Sequence, residues 1–246
     1  MITYPNVHLA RFIQRPNRFI AECNLEHMEG LVIAHVKNTG RCKELLLPNV
    51  EVALSYQPSP KRKTDYDLIA VKKGNHWINI DSQVPNALAA SALLDGTICL
   101  PGLNGDIVSV RREKRYENSQ FDLLIQTDRD SLAFVEVKGM TLENNQIGAF
   151  PDAPTIRGLK HVNELIIAQS EGYQCYILFV IQFEQVKKAT IHQEMQPELG
   201  QTILRAQAQG VQVIAYNCQV TPATIRIDKF VPFDVRYDFE NPNKER

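Results

Sequence analysis

The sequence predicts a two-domain chain of the α/β (α+β) class, with an all-β barrel at the amino terminus and a mixed sheet flanked by helices after it. Three observations carry this. Up to about Asp81 the chain passes through six short runs of strand-forming residues, at the density of a small closed barrel. After Pro85, helical patterns alternate with nearly continuous apolar runs, which suit strands buried on both faces. Within that second part, Gln120 to Gly139 has two apolar runs separated by the polar segment Thr127 to Ser131, a hairpin signal.

Taken in order, strands are expected at His8–Gln14, Phe19–Asn24, Leu31–Val36, Val50–Tyr56, Leu68–Lys72 and Trp77–Ile80. Turn residues separate them at Pro16-Asn17, Glu29-Gly30, Asn38-Thr39-Gly40 and Gly74-Asn75. The junction falls at Asp81–Pro85, giving domains 1–82 and 83–240 and a polar, disordered tail over 241–246. Pro85–Leu94 reads as a helix, and Ile107–Lys114 as a strand with Val108 and Val110 inward. Met140 to Thr155 has no apolar period and reads as a long loop. Ile156–Glu171 is a helix capped by Thr155 and stopped by Gly172. Its buried stripe is Ile156, Leu159, Val162 and Ile166, with Arg157, Lys160, His161 and Glu164 on the opposite side. Tyr173–Ile181 is a buried strand, Pro197–Gln209 a helix, and Val211–Ala215 the next buried strand.

Of the 246 residues, 44% are hydrophobic and 22% charged, as in ordinary globular domains. No apolar run approaches a membrane span, and the first residues lack a signal-peptide core, so a cytoplasmic protein with no membrane partner is expected. The five cysteines, Cys23, Cys42, Cys99, Cys175 and Cys218, are scattered and form no metal-binding spacing; reduced thiols are expected. A formal net charge of -1 gives no global attraction to nucleic acid. A nucleic-acid partner would need local basic patches, and two exist. One is Lys61-Arg62-Lys63, between Tyr56 and Tyr66; the other is Arg111-Arg112-Glu113-Lys114-Arg115. Each also reads as solvated surface.

The chemistry concentrates on the hairpin. If Gln126 pairs with Leu132, counting back places Asp122 opposite Glu136, on the face that also carries Lys138. Two carboxylates held together repel, and the arrangement needs a cation. Lys138 can neutralise one of them; a divalent ion such as Mg²⁺, with Mn²⁺ as the alternative, neutralises both. The lysine is then free to orient water or steady a phosphate. The plainer reading is a hairpin whose solvent face carries a few charges.

Ser119-Gln-Phe-Asp122, Val135-Glu-Val-Lys-Gly139, Thr141-Leu142, Phe150-Pro-Asp-Ala153, Thr155 and Arg157-Gly-Leu-Lys-His161 resemble the signature of the sugar fermentation stimulation protein family. Arg18-Phe19 and Asn38-Thr-Gly40 resemble its amino-terminal marker. Gln120 stands where the family has arginine, and a glycine is expected near Asn118. The resemblance implies an oligonucleotide-binding (OB)-like barrel and a domain like the PD-(D/E)xK nucleases. It implies a DNA partner, with the homodimer a further possibility, and a cation held by Asp122, Glu136 and Glu113. It gives Lys138 the catalytic role beside those three acids. Arg18, Asn38, Arg41, Lys61, Arg62, Lys63, Arg157 and Lys160 are then the DNA contacts. Two functions stay open: Mg²⁺-dependent phosphodiester hydrolysis, or non-catalytic binding that regulates transcription in sugar (maltose-type) metabolism.

Overall fold

The computed structural model describes residues 1–26, 30–38, 40–116 and 119–244. Glu29, Thr39 and Asn118, each at or beside an expected feature, lie outside the described residues, as do the last two positions of the tail.

The chain opens with a two-residue strand, β1 (Ile2–Thr3), and then builds the barrel from β2 (Val7–Asn17), β3 (Ile20–Leu25), β4 (Leu31–Val36), β5 (Glu51–Tyr56) and β6 (Tyr66–Lys73). The order β4-β3-β2-β5-β6 closes because β4 also pairs with β6 in parallel, Ala34 against Tyr66 and Val36 against Leu68. Alternation along each strand fills the interior with Ala10, Phe12, Ala21, Cys23, Val52 and Leu54. A sixth strand, β7 (His76–Asn79), extends the sheet beside β6.

The second domain begins with α1 (Val84–Leu94), which has Pro85 in its first turn and buries Leu88, Ala92 and Leu93. Next come β8 (Ile107–Tyr116), β9 (Ser119–Thr127), β10 (Leu132–Met140), β11 (Leu142–Asn144) and β12 (Ile147–Phe150). They are followed by α2 (Ile156–Ser170), β13 (Gln174–Ile181), β14 (Lys188–Ile191), α3 (Pro197–Ala208), β15 (Gln212–Val220) and β16 (Thr224–Phe230). The main sheet runs β1-β16-β15-β13-β10-β9-β8, with β10, β13 and β15 parallel and its other neighbours antiparallel. α1 covers one face, packing on Val135, Val137, Leu178 and Val180; α2 and α3 cover the other, over Phe134, Ile177 and Phe179. Among the described residues, no helix is long and apolar enough to cross a membrane. All five cysteines are free thiols.

Four expectations change. The long loop after Gly139 contains the hairpin β11–β12, which extends by parallel pairing to β14; Asn145 and Gln146 turn it with φ of 52° and 65°. Val108 is 58% exposed, because the β8–β9 register slips between Ile107 and Ser109. α2 buries Gly158, His161, Val162, Leu165 and Ala168, and leaves Ile156 84% exposed, so its inward face is rotated from the expected stripe. Of the expected disordered tail, Asn243 donates to Glu44 Oε2 at 3.3 Å and Lys244 pairs with Glu194 at 2.5 Å.

The two domains meet over apolar and polar contacts together. Ala53, Ile69 and Ala70 on the outside of the barrel share a buried cluster with Val84 and Leu88 of α1. Backbone Asn79 N–H donates to Gln182 O at 2.9 Å, and Gln182 Nε2 donates back to Asn79 Oδ1 and to the Asp81 carbonyl. At the edge of this junction Cys42 N–H donates to Asp152 Oδ2 at 2.7 Å, near Glu44. Burial and the Asp152 charge push the Glu44 carboxyl up to about 7, against the lowering influence of Asn243 and Lys73. A carboxyl raised in the folded state contributes stability that is present at low pH and lost as pH rises through about 7. The melting temperature of Glu44→Gln should therefore exceed that of the wild type at pH 8, and the gap should close towards pH 5, as read by thermal unfolding across that range.

Candidate active site

The β9–β10 hairpin takes the register the sequence implies. Leu132 pairs with Gln126, and the ladder continues to Val135 against Leu123. The next pair would be Glu136 against Asp122, and there the ladder opens. Val137 N–H donates instead to Asp122 Oδ2 at 2.8 Å, so the aspartate side chain takes the place of the strand partner. Asn86 of α1 donates to the other oxygen, Oδ1, at 2.7 Å. Asp122 is thus held from two sides. Burial and the Glu136 charge still raise its pKa.

Glu136 is 1% exposed. Its Oε1 accepts from Lys138 Nζ at 2.5 Å and from His161 Nδ1 on α2. Arg157 Nε donates to His161 Nε2 at 3.3 Å, which leaves the imidazole proton on Nδ1, facing the carboxylate. Burial alone would raise the Glu136 carboxyl; the His161 hydrogen bond and the Lys138 charge outweigh it and hold it below the usual carboxylate range. Its second oxygen, Oε2, is buried without a hydrogen-bond partner. A buried carboxylate oxygen left open is costly, and a cation beside Asp122 is the chemistry that suits it.

The remaining predicted site residues fall into four groups. Glu113 lies across from Asp122 in the β8–β9 register, but its backbone is left-handed (φ 56°) and its side chain is exposed. Gln120 Nε2 donates to the Glu113 carbonyl and braces this irregular point. Among the described residues no three His, Cys, Asp or Glu side chains gather as a metal-binding group, so Glu113 does not join the pair here. Arg62 and Asn38 are committed internally. Arg62 pairs with the fully buried Asp67, together with Lys37, and Asn38 bonds Ile80 O and Gly40 N. Lys61 and Lys63 are exposed, and so is Lys160, which also pairs with Glu164. Arg18 and Arg41 line a groove on the barrel rim together with Lys43. Arg15 organises that rim by donating to the carbonyls of Arg18, Asn38, Gly40 and Arg41. Sequence reasoning missed His161, Asn86 and Lys43 as site residues; the available signal was His161 one helical turn after Arg157.

Removing one partner of a buried charge exposes its uncompensated cost. His161→Ala should lower stability by about 2 kcal/mol, and much less in a Glu136→Gln background; urea unfolding of the four proteins in the cycle measures the coupling.

Residues 83–224 match the family described as sugar fermentation stimulation protein RE domain, and residues 13–80 match the one described as SfsA N-terminal OB domain. The chain is similar to the sugar fermentation stimulation protein homolog of Enterococcus mundtii, at 60% identity over 240 residues, 98% of this chain and 99% of that one. Against the homolog of Clostridium beijerinckii the identity is 44% over 228 residues, 93% and 97% of the two chains. The fold is that of Pyrococcus furiosus SfsA, solved in complex with Ca²⁺, with a TM-score of 0.81 at 24% identity over 95% of this chain and 98% of that one. The chain belongs to the sugar fermentation stimulation protein family, with an OB domain followed by the family's RE domain.

Proposed function

We propose that this protein binds DNA and hydrolyses its phosphodiester backbone with the help of a divalent cation. The observation that carries the reading is the open, buried Oε2 of Glu136 beside Asp122, with Lys138 on the same carboxylate. The Ca²⁺ held by the Pyrococcus furiosus relative supports a divalent site in this fold. Glu136 and Asp122 are the residues that would hold the ion, Mg²⁺ or Mn²⁺ in the working enzyme. Such an ion polarises a phosphoryl oxygen and lowers the pKa of a bound water.

The chain's own groups do the rest. Lys138 lies 2.5 Å from Glu136 Oε1, within reach of a water or a phosphate oxygen at the carboxylate, where its ammonium orients the one or steadies charge on the other. His161, fixed by Arg157, keeps Glu136 in one orientation. Asn86 and the Val137 N–H do the same for Asp122. Arg18, Arg41 and Lys43 on the barrel rim, with the exposed cations of β8, supply the phosphate contacts that a chain of formal net charge -1 needs locally.

A second reading has its own support. Lys138 and His161 already compensate Glu136, and both oxygens of Asp122 are already hydrogen-bonded. A DNA-binding regulator that does not cleave fits a site satisfied in this way.

Two experiments test these proposals. Calorimetric titration of Mn²⁺, paired with a plasmid-nicking assay, should show Glu136→Gln losing both the ion and the nicking. Lys138→Ala should keep the ion and lose nicking by a factor of at least about 100. A wild type that binds the ion and nicks no substrate would favour the regulator. The barrel's share is read from salt dependence: Lys61→Ala with Lys63→Ala should flatten the slope of log K against log[salt] by about 2. Arg62→Ala should act on stability, because it strips a partner from the buried Asp67 carboxylate, whose pKa it helps to lower.

A further inference from the structure

A cavity of about 460 Å³ lies between the barrel and the second domain, at the carboxyl ends of the parallel strands β10 and β13. It takes Arg18, Asn38 and Gly40 from the barrel and Gly139, the Phe150–Thr155 segment and Gln182 from the second domain. Gly139 follows Lys138 along β10, but a Cβ on it would meet Gln182 and Pro85 of α1, and none of Asp122, Glu136 and Lys138 lines the cavity. Arg18, Gly40 and Ala153 also line the basic groove on the barrel rim, so the two spaces share a wall.

The chemistry of the cavity is one-sided. Gln182 is 1% exposed, and its amide orientation is fixed because Nε2 donates to Asn79 Oδ1 at 2.9 Å and to Asp81 O at 3.1 Å. Its Oε1 accepts nothing among the described residues. A Cβ at position 139 would stand 2.7 Å from that oxygen, and only glycine leaves it open. Asp152 uses Oδ2 for the Cys42 N–H, and its other oxygen has no donor among the described residues. The half-buried Phe150 ring and Pro151 add an apolar wall. Two open acceptors beside an apolar surface ask for a flat ligand that carries N–H donors.

We propose that this cavity receives one unstacked nucleobase of the DNA strand, selected for an exocyclic amino group that donates to Gln182 Oε1 and Asp152. Adenine, cytosine and guanine each offer such a group. Thymine presents one ring N–H between two carbonyls, and these face the acceptors unfavourably. The backbone of that nucleotide lies in the groove along Arg18, which lines both the cavity and the basic rim. The inference rests on the DNA-binding reading and adds to it a base preference at one unstacked nucleotide.

The test uses the full chain with EDTA present, and fluorescence anisotropy on single strands of dA, dC, dT and an abasic backbone. Duplexes carrying one bulged dA, dC or dT are the second substrate. The wild type should bind dA and dC about ten-fold tighter than dT, and dT no better than the abasic strand. Asp152→Asn keeps an acceptor for Cys42 N–H, turns an amide NH₂ towards the cavity and relieves the repulsion on Glu44, so the fold should hold. This variant should lose the preference for dA and dC and gain affinity for dT. Equal affinity of the wild type for all four strands and all three bulges would overturn the base pocket and leave the DNA-binding reading standing. No binding to any of them would overturn both. A preference that survives unchanged in Asp152→Asn would overturn the assignment to this cavity.

Discussion

A carboxylate buried to 1% exposure cannot be left without compensation, and much of the second domain is arranged around that of Glu136. Lys138, two residues along the same strand, supplies charge. The other compensating group must come from across the sheet face, and α2 provides it in His161. Facing His161 inward sets the phase of the whole helix, with Leu165 and Ala168 following at helical spacing and Ile156 turned out to solvent. α1, on the opposite face, sends Asn86 to Asp122. Helices on both faces of the sheet are thereby tied to one pair of acids, and the gap that opens between β9 and β10 is held rather than closed.

The junction with the barrel follows a similar rule on a larger scale. Ala53 and Ala70 leave little side-chain volume on the outer barrel wall beside Ile69, so α1 and the sheet approach closely. Close approach buries polar groups, and the Tyr4, Asn79 and Asp81 side chains and the Gln182 Nε2 amide are hydrogen-bonded into one network there. Gly40 belongs to the same constraint: a Cβ on it would meet Asp152 Oδ2 at 2.7 Å. The barrel rim that bears Arg18 and Arg41 is consequently fixed against the strand ends that lead to Lys138.

Much of this was legible in the sequence wherever a rule is arithmetic. The hairpin pairing of Leu132 with Gln126 fixes the places of Asp122 and Glu136 by counting alone, and the six barrel strands stand out by alternation and turn residues. Features that depend on long-range compensation were hidden. A helical wheel ranks Ile156 above His161 for burial, because exposing an isoleucine forgoes only about 1.5–3 kcal/mol. The demand of a buried carboxylate is of the same order, but the carboxylate comes from another element. Arg62 reads as a free cation until Asp67 is known to be buried beside it. Asn145 and Gln146 turn a hairpin in left-handed backbone without glycine, so the usual punctuation is missing. Glu113 has the expected register and an unexpected backbone, and φ at a single residue redirects its side chain.

The charge balance at the acidic pair bears on the order in which a hydrolytic cycle would fill the site. With both carboxylates ionised, Asp122, Glu136 and Lys138 together carry a single net negative charge, and the His161 hydrogen bond adds none. A phosphodiester is also singly negative and is repelled by that arrangement at short range. In the proposed reading, Asp122 and Glu136 would hold a divalent ion, and its charge would reverse the sign the site presents to a phosphodiester. Lys138 gains most from this change. Its ammonium is held by Glu136 Oε1, and with a divalent ion on the acids it would be available to water or phosphate. The basic rim of the barrel, lined by Arg18, Arg41 and Lys43, takes neither of the two acids into its groove. In the proposed cycle, capture of the strand and completion of the site would be separable events, the first resting on the barrel and the second on the hairpin.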